Sequence, residues 1–207
     1  GLEIESVSNS FILDKTSPEA GIVFNGLDSD EGKNYQSSLT EVSAWWEGFQ
    51  DKESGIFRYD ICIGSIPGLC DVSGFRSVGL ATNAIVKNLN LTHNATYYTT
   101  VRGTNGASQS GFASSNGITV DLTPPIGSIL RDGEDLDTDV SIQDMFVSIN
   151  WDEYHDSESG ISKYVVCAGT IVGACDLVSP TTVNDSLAAK LDIRPAISSG
   201  TVVYSTL

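Results

Sequence analysis

The hydrophobic residues of this chain fall in short alternating runs, and no long stretch carries them at the spacing of an amphipathic helix. Val147, Ile149 and Trp151 alternate with Ser148 and Asn150, the period-two signature of a strand with one face in a core. Val42, Ala44 and Trp46 follow the same course less cleanly, beside Thr40, Ser43 and Trp45. Tyr59, Ile61 and Ile63 share one face of a later strand, and Tyr164, Val166 and Ala168 share one face of another. Trp46 and Trp151 are expected to point inward, with these triplets at the centres of two cores. Leu91, Tyr97, Val101 and Asn105 lead through Gly106 to a closing strand around Ile118 and Val120. Abundant Thr, Ser, Val, Ile, Gly and Asn agree with an all-β chain rich in turns.

The pattern repeats. Trp46-Glu47-Gly48-Phe49-Gln50-Asp51-Lys52-Glu53-Ser54-Gly55-Ile56 is answered, at an offset of 105, by Trp151-Asp152-Glu153-Tyr154-His155-Asp156-Ser157-Glu158-Ser159-Gly160-Ile161. The offset holds through Tyr59/Tyr164, Cys62/Cys167, Gly64/Gly169, Gly68/Gly173, Cys70/Cys175 and Asp71/Asp176. A junction recurs too, with Ser10 to Pro18 matching Gly117 to Pro125. Residues 1–14 therefore read as the closing strand of a preceding module, 15–121 as a complete module, and 122–207 as a module truncated before its last strand. Proline restricts its predecessor to extended geometry and removes a ladder donor, so the joints are expected to be short and stiff. Residues 1–14 are expected to be extended and to lie against a module other than 15–121.

Length and charge narrow the function. With 207 residues there is room for two modules of ordinary size. Twenty-seven acidic residues against 11 basic ones give a net charge of -16, which repels nucleic-acid phosphates and anionic lipid and favours cations or basic partners. The apolar residues are too scattered for a membrane span, so no membrane contact is expected.

The Trp on the second strand, the Tyr 13 residues later and the Leu91/Tyr97/Val101/Asn105 run resemble a fibronectin type III module over 15–121. The resemblance implies tandem seven-stranded fibronectin-III-like, immunoglobulin-like sandwiches with a Greek-key path. It is weaker in 122–207, where Leu191, Ile193, Val203 and Tyr204 stand for the matching strand and Ser198-Ser199-Gly200 alters the loop. The Asp-x-Thr-Pro-Pro junction and the Asp-x-Glu-Ser-Gly-Ile turn resemble a repeat subtype of very long extracellular proteins.

Cys62 and Cys70, like Cys167 and Cys175, are spaced for a local hairpin disulfide. Each first Cys has opposite parity to the core Tyr, which places the pair on the outer face. Closing so short a loop contributes ~2.5 kcal/mol in the chain-entropy relation and implies an oxidising compartment. Reduced thiols and a metal site are the other readings, although zinc spacing normally adds a second close pair or His. Asn90, Asn94 and Asn184 head N-glycosylation sequons. Asp51 and Glu53, and their twins Asp156 and Glu158, offer hard oxygen ligands for calcium, and no other cofactor is expected. The set is incomplete unless junction residues Asp14 and Asp121 join; otherwise these are solvated acidic turns. Asp28 to Gly32 and Asp132 to Asp139 read as solvated acidic loops.

Nothing points to catalysis. His93 and His155 occupy unlike surroundings, and neither a nucleophile motif nor a phosphate-binding Gly-rich loop occurs. The sequence leads to a non-catalytic structural repeat at the cell surface or outside the cell, forming a spacer or filament. Its expected partners are neighbouring modules or further copies. The alternative is a module that binds a protein or glycan through end loops, with Trp45 as a sugar-stacking platform.

Overall fold

β-Branched and aromatic residues at alternate positions fit a pleated surface with one buried face, and they make strands here wherever that pattern holds. The computed structural model describes residues 4–27, 34–127, 129–134, 137 and 145–207. It divides into two units, Gly1–Leu122 and Thr123–Leu207. All elements among the described residues are strands, and none contains a helix long and apolar enough to cross a membrane. The acidic stretch Asp28–Gly32 lies outside the described residues, as does most of Asp135–Asp139.

The first unit contains β1 (Ile22–Asn25), β2 (Tyr35–Gln36), β3 (Glu41–Glu47), β4 (Ile56–Gly64), β5 (Ser73–Gly79), β6 (Asn83–Lys87), β7 (Thr96–Asn105), β8 (Ser110–Ser114) and β9 (Ile118–Val120). One sheet runs β1-β3-β6. The other runs β2-β9-β7-β4-β5, with β8 also paired to β7. This is the seven-strand sandwich with two local departures. The closing strand arrives in two pieces, β8 and β9, and a short β2 adds in parallel to β9.

Val23, Val42, Ala44 and Trp46 of the first sheet meet Tyr59, Ile61, Ile63, Tyr97, Val101, Ile118 and Val120 of the second. Trp46 is 1% exposed and stands edge-on to Tyr59, ring centroids 5.7 Å apart, a favoured aromatic geometry. Tyr97 Oη accepts the Thr92 N–H at 2.9 Å and so ties the crossover between β6 and β7. That bond is the tyrosine corner of immunoglobulin-like sandwiches.

The second unit contains β10 (Leu130–Asp132), β11 (Phe146–Trp151), β12 (Tyr164–Gly169), β13 (Val178–Val183), β14 (Ala188–Asp192) and β15 (Tyr204–Thr206). Its sheets run β10-β11-β14 and β13-β12-β15. Cys167 pairs with Thr206 as Cys62 pairs with Thr100, so β15 holds the place of β7. The buried centre is Ile149, Trp151, Val166, Ala168 and Leu191, with Tyr164, Val203 and Leu207 half-buried around it.

Residues 4–13 form neither strand nor helix. Ile4, Val7, Phe11, Ile12 and Leu13 stand in solvent, Phe11 at 87% exposure. The chain first engages the sandwich at Asp14.

Candidate functional site at the entrance of the first sandwich

The repeated acidic turn is built by its aspartate. Asp51 Oδ1 accepts the N–H groups of Ser54 (2.8 Å) and Gly55 (3.1 Å). Asp156 Oδ1 accepts those of Glu158 (3.0 Å), Ser159 (2.7 Å) and Gly160 (3.3 Å). A carboxylate taking backbone donors a few residues ahead closes a tight loop. Gly55 at φ 69° and Gly160 at φ 70° then occupy the left-handed region that side chains disfavour. The Asp-x-x-Ser-Gly spacing is thus turn chemistry first.

In the first unit the turn is joined to the junction. The Ser54 hydroxyl donates to Asp14 Oδ2. Asn105, at the end of β7 and 1% exposed, directs its amide Nδ2 toward Asp14 Oδ2 (2.8 Å), the Thr16 carbonyl (2.9 Å) and Asp51 Oδ2 (3.0 Å). Its orientation is fixed from behind, because Asn105 Oδ1 accepts the N–H groups of Ala107 (3.1 Å) and Gln109 (2.8 Å). Thr16 Oγ1 donates to Glu53 Oε2 at 3.0 Å, and Gln109 Nε2 donates to the Lys15 carbonyl at 3.2 Å. Each residue from Asp14 to Thr16 is therefore bonded to the sandwich. Asp51 titrates below the ordinary aspartate range, first because of the Asn105 amide and then because of the Ser54 N–H.

This arrangement gathers Asp14, Asp51 and Glu53, with one carboxylate oxygen from each lying within 4.8 Å of the others. Such oxygens suit a hard cation, and they already face the Asn105 amide and the hydroxyls of Ser54 and Thr16. Asp156 and Glu158 are not gathered with a third acidic group among the described residues. Glu158 Oε2 accepts the Ser157 hydroxyl at 2.7 Å. Asn105 entered the sequence reading only as a mark of the fold. The signal for its role was a polar residue at a core-strand end, directly before Gly106.

Cys62 bonds to Cys70 and Cys167 to Cys175, with Cα atoms 5.5 and 5.3 Å apart. The pairs lie on the outer face of their sheets, and that face is covered there. The cysteines alternate away from the core, yet Cys62 is 0% and Cys167 4% exposed, because each loop folds back over its own strand. Gly64 and Gly169 permit this: a Cβ there would meet the Leu69 and Ala174 carbonyl oxygens at 1.4 and 2.3 Å. Asp71 receives the N–H and hydroxyl of Ser65, and Asp176 those of Thr170. Both carboxylates titrate below the ordinary range for that reason, the hydroxyl bond first.

The sequon residues Asn90, Asn94 and Asn184 are all exposed. Trp45 is half-buried, its ring stacked on Phe24 at 4.2 Å and 12°, so the open platform expected from sequence has one face covered. His93 Nδ1 accepts the Leu122 N–H at 3.2 Å, and the backbone of His155 pairs with Ile126. The His93 ring thus holds a backbone N–H, while His155 is held through its backbone.

No protein-family model matches the sequence, and no curated protein is similar to it. Among solved structures the chain is similar to the FN1-FN3 domains of chicken CNTN1, with a TM-score of 0.50 and 13% identity. That match covers 91% of this chain and 61% of the other, so the chain spans less than two thirds of it. It is also similar to the central fibronectin-III array of RIM-binding protein, with a TM-score of 0.31, 11% identity, and coverage of 92% and 67%. The CNTN1 likeness shows a fibronectin-III-like fold and goes no further.

Proposed function

We propose that these modules serve as stiff, non-catalytic repeats of an extracellular spacer or filament, and that the bonds around Asn105 form a clasp that stiffens the joint. The clasp is the observation that carries this reading. A linker whose carbonyl and carboxylate oxygens are held by one buried, pre-oriented amide cannot swivel without leaving polar groups unpaired, which is costly when they are buried. Residues 1–14, taken as the last strand of a preceding module, would enter along the direction the clasp sets. Two disulfides fit an oxidising compartment, and the exposed sequons at Asn90, Asn94 and Asn184 suit glycans there. The partners of such a chain are neighbouring modules or further copies.

Limited trypsin digestion of the full chain tests the clasp, since Lys15 lies inside it. Cleavage after Lys15 should be slow in the parent and about tenfold faster in Asn105→Ala, because proteolysis follows local opening. Equal rates would remove the support for a stiff joint.

A further inference from the structure

The spacer reading makes no use of the outer face of the sheet formed by β5, β4, β7 and β8. Register sets Asp60 opposite Arg102 and Ser77, and Arg102 opposite Phe112, so these side chains share the face turned from the core. Phe75, two residues before Ser77, shares it. Asp60 is buried, and its Oδ2 accepts Arg58 Nε at 3.2 Å and Arg102 Nε at 3.2 Å. The Arg102 guanidinium stands 4.4 Å from the centre of the Phe75 ring, and the Phe75 and Phe112 rings meet at 6.2 Å. Their strands are separated by β4 and β7, about 14 Å at ordinary strand spacing. The rings therefore lean inward and roof the ion pair.

The roof itself is wet, with Phe75 36% and Phe112 53% exposed. One carboxylate facing two guanidiniums leaves a net positive spot on a chain with 27 acidic and 11 basic residues. The Arg58 side chain is 44% exposed. The repeat does not require any of this. At the 105-residue offset Arg58, Asp60 and Phe75 are answered by Lys163, Val165 and Pro180, while the core Trp, core Tyr, cysteine and turn-Asp positions recur.

We propose that this face docks an acidic segment of a partner protein, with carboxylates on the outer edges of Arg58 and Arg102 and an apolar side chain on the Phe75–Phe112 roof. The net charge of the chain does not forbid this, because screening at physiological salt acts over about 8 Å and leaves contacts at the face dominant. The exposed rings separate a peptide from a sulfated glycan, which would use the guanidiniums and leave the roof in water. This surface shares no residue with the clasp, so its test and the digestion above can fail independently.

Amide chemical-shift mapping on the full chain decides the matter with three probes. These are a synthetic peptide of Glu-Leu-Asp-Phe repeats, one of Glu-Ser-Asp-Ser repeats, and a heparin oligosaccharide. The first should shift β4, β5, β7 and β8 saturably, and the other two should leave them in place. Affinity should fall about tenfold in Phe112→Ser and in Arg58→Gln, the scale of losing one interface anchor. Both changes are at exposed side chains, so signals elsewhere should stay put. The proposal is overturned if the apolar acidic peptide leaves those strands unshifted or if both variants bind it as tightly as the parent. Heparin occupying the face, or shifts traced to association of copies of the chain, would overturn it equally.

Discussion

Trp46 and Trp151 sit at the same place in the repeat and meet different side chains from the opposite sheet. Trp46 has both sheets around it, because Tyr97, Val101, Ile118 and Val120 bring the last strands of the sandwich into the core. Trp151 has Ile149, Val166, Ala168 and Leu191 fully buried beside it, and Val203 and Leu207 only half-buried where the Tyr97 and Val101 side chains would be. The strands that carry the closest repeat, β3 with β11 and β4 with β12, share Val42/Val147, Ser43/Ser148, Trp46/Trp151, Tyr59/Tyr164, Cys62/Cys167 and Gly64/Gly169. The strands that pair with β4 and β12, β7 in the first unit and β15 in the second, are where the sequences part. The shared positions thus place the middle of each sandwich, while Tyr97 and Val101 of the first and Val203 and Leu207 of the second, which face that middle, lie outside the shared set.

The largest expected effect comes from truncating the two tryptophans. Trp46→Ala should cost the first unit about 3–5 kcal/mol, the usual range for removing a buried aromatic, and leave it folded. Trp151→Ala should cost the second unit a similar amount, read from its own transition in urea unfolding followed residue by residue. If one unit loses stability and the other does not, the two repeated Trp positions are not energetically equivalent.

A smaller effect sharpens the same contrast. Tyr97→Phe deletes one hydroxyl that accepts a backbone N–H and should cost the first unit about 1 kcal/mol. The second unit has Val203 where the pairing of β15 places the Tyr97 equivalent, so it has no such bond to lose. Unfolding of the first unit in urea reads the change, and an unaltered midpoint would show that the corner is only geometric.

The smallest effect concerns Asp51. Its folded pKa lies below the ordinary value of 3.8. A lowered carboxylate contributes stability that is present above the unfolded value and lost as pH falls through the folded one. The clasp should hold at neutral pH and give way only below about pH 4. Carboxyl carbon titration should show the Asp51 midpoint below 3.8 in the parent and nearer to it in Asn105→Ala, since the Asn105 amide is the largest cause. Millimolar calcium should move the melting temperature by less than about 1 °C, because a ligand at or below its dissociation constant stabilises little. A midpoint at the ordinary value would remove the amide's role, and a clear rise with calcium would mean that Asp14, Asp51 and Glu53 hold the cation.

By itself the sequence determined what alternation and close spacing can express. Period-two patterning placed Trp46, Ile61 and Ile63 in the first core and Trp151, Val166 and Ala168 in the second, because a pleat leaves each side chain only two directions. The turn at Asp51 and its twin at Asp156 were equally legible, since their bonds span two to four residues. Asn105 was not, because its partners lie 54 residues back at Asp51 and 91 back at Asp14, and no local period records which distant oxygens a strand end will meet. Parity put Cys62 on the outside of its sheet, and only the folded loop decided that the outside was covered. The Phe75–Arg102–Phe112 roof has the same origin. Its residues come from three strands, and their meeting is fixed by sheet order and register, which sequence patterning constrains one strand at a time.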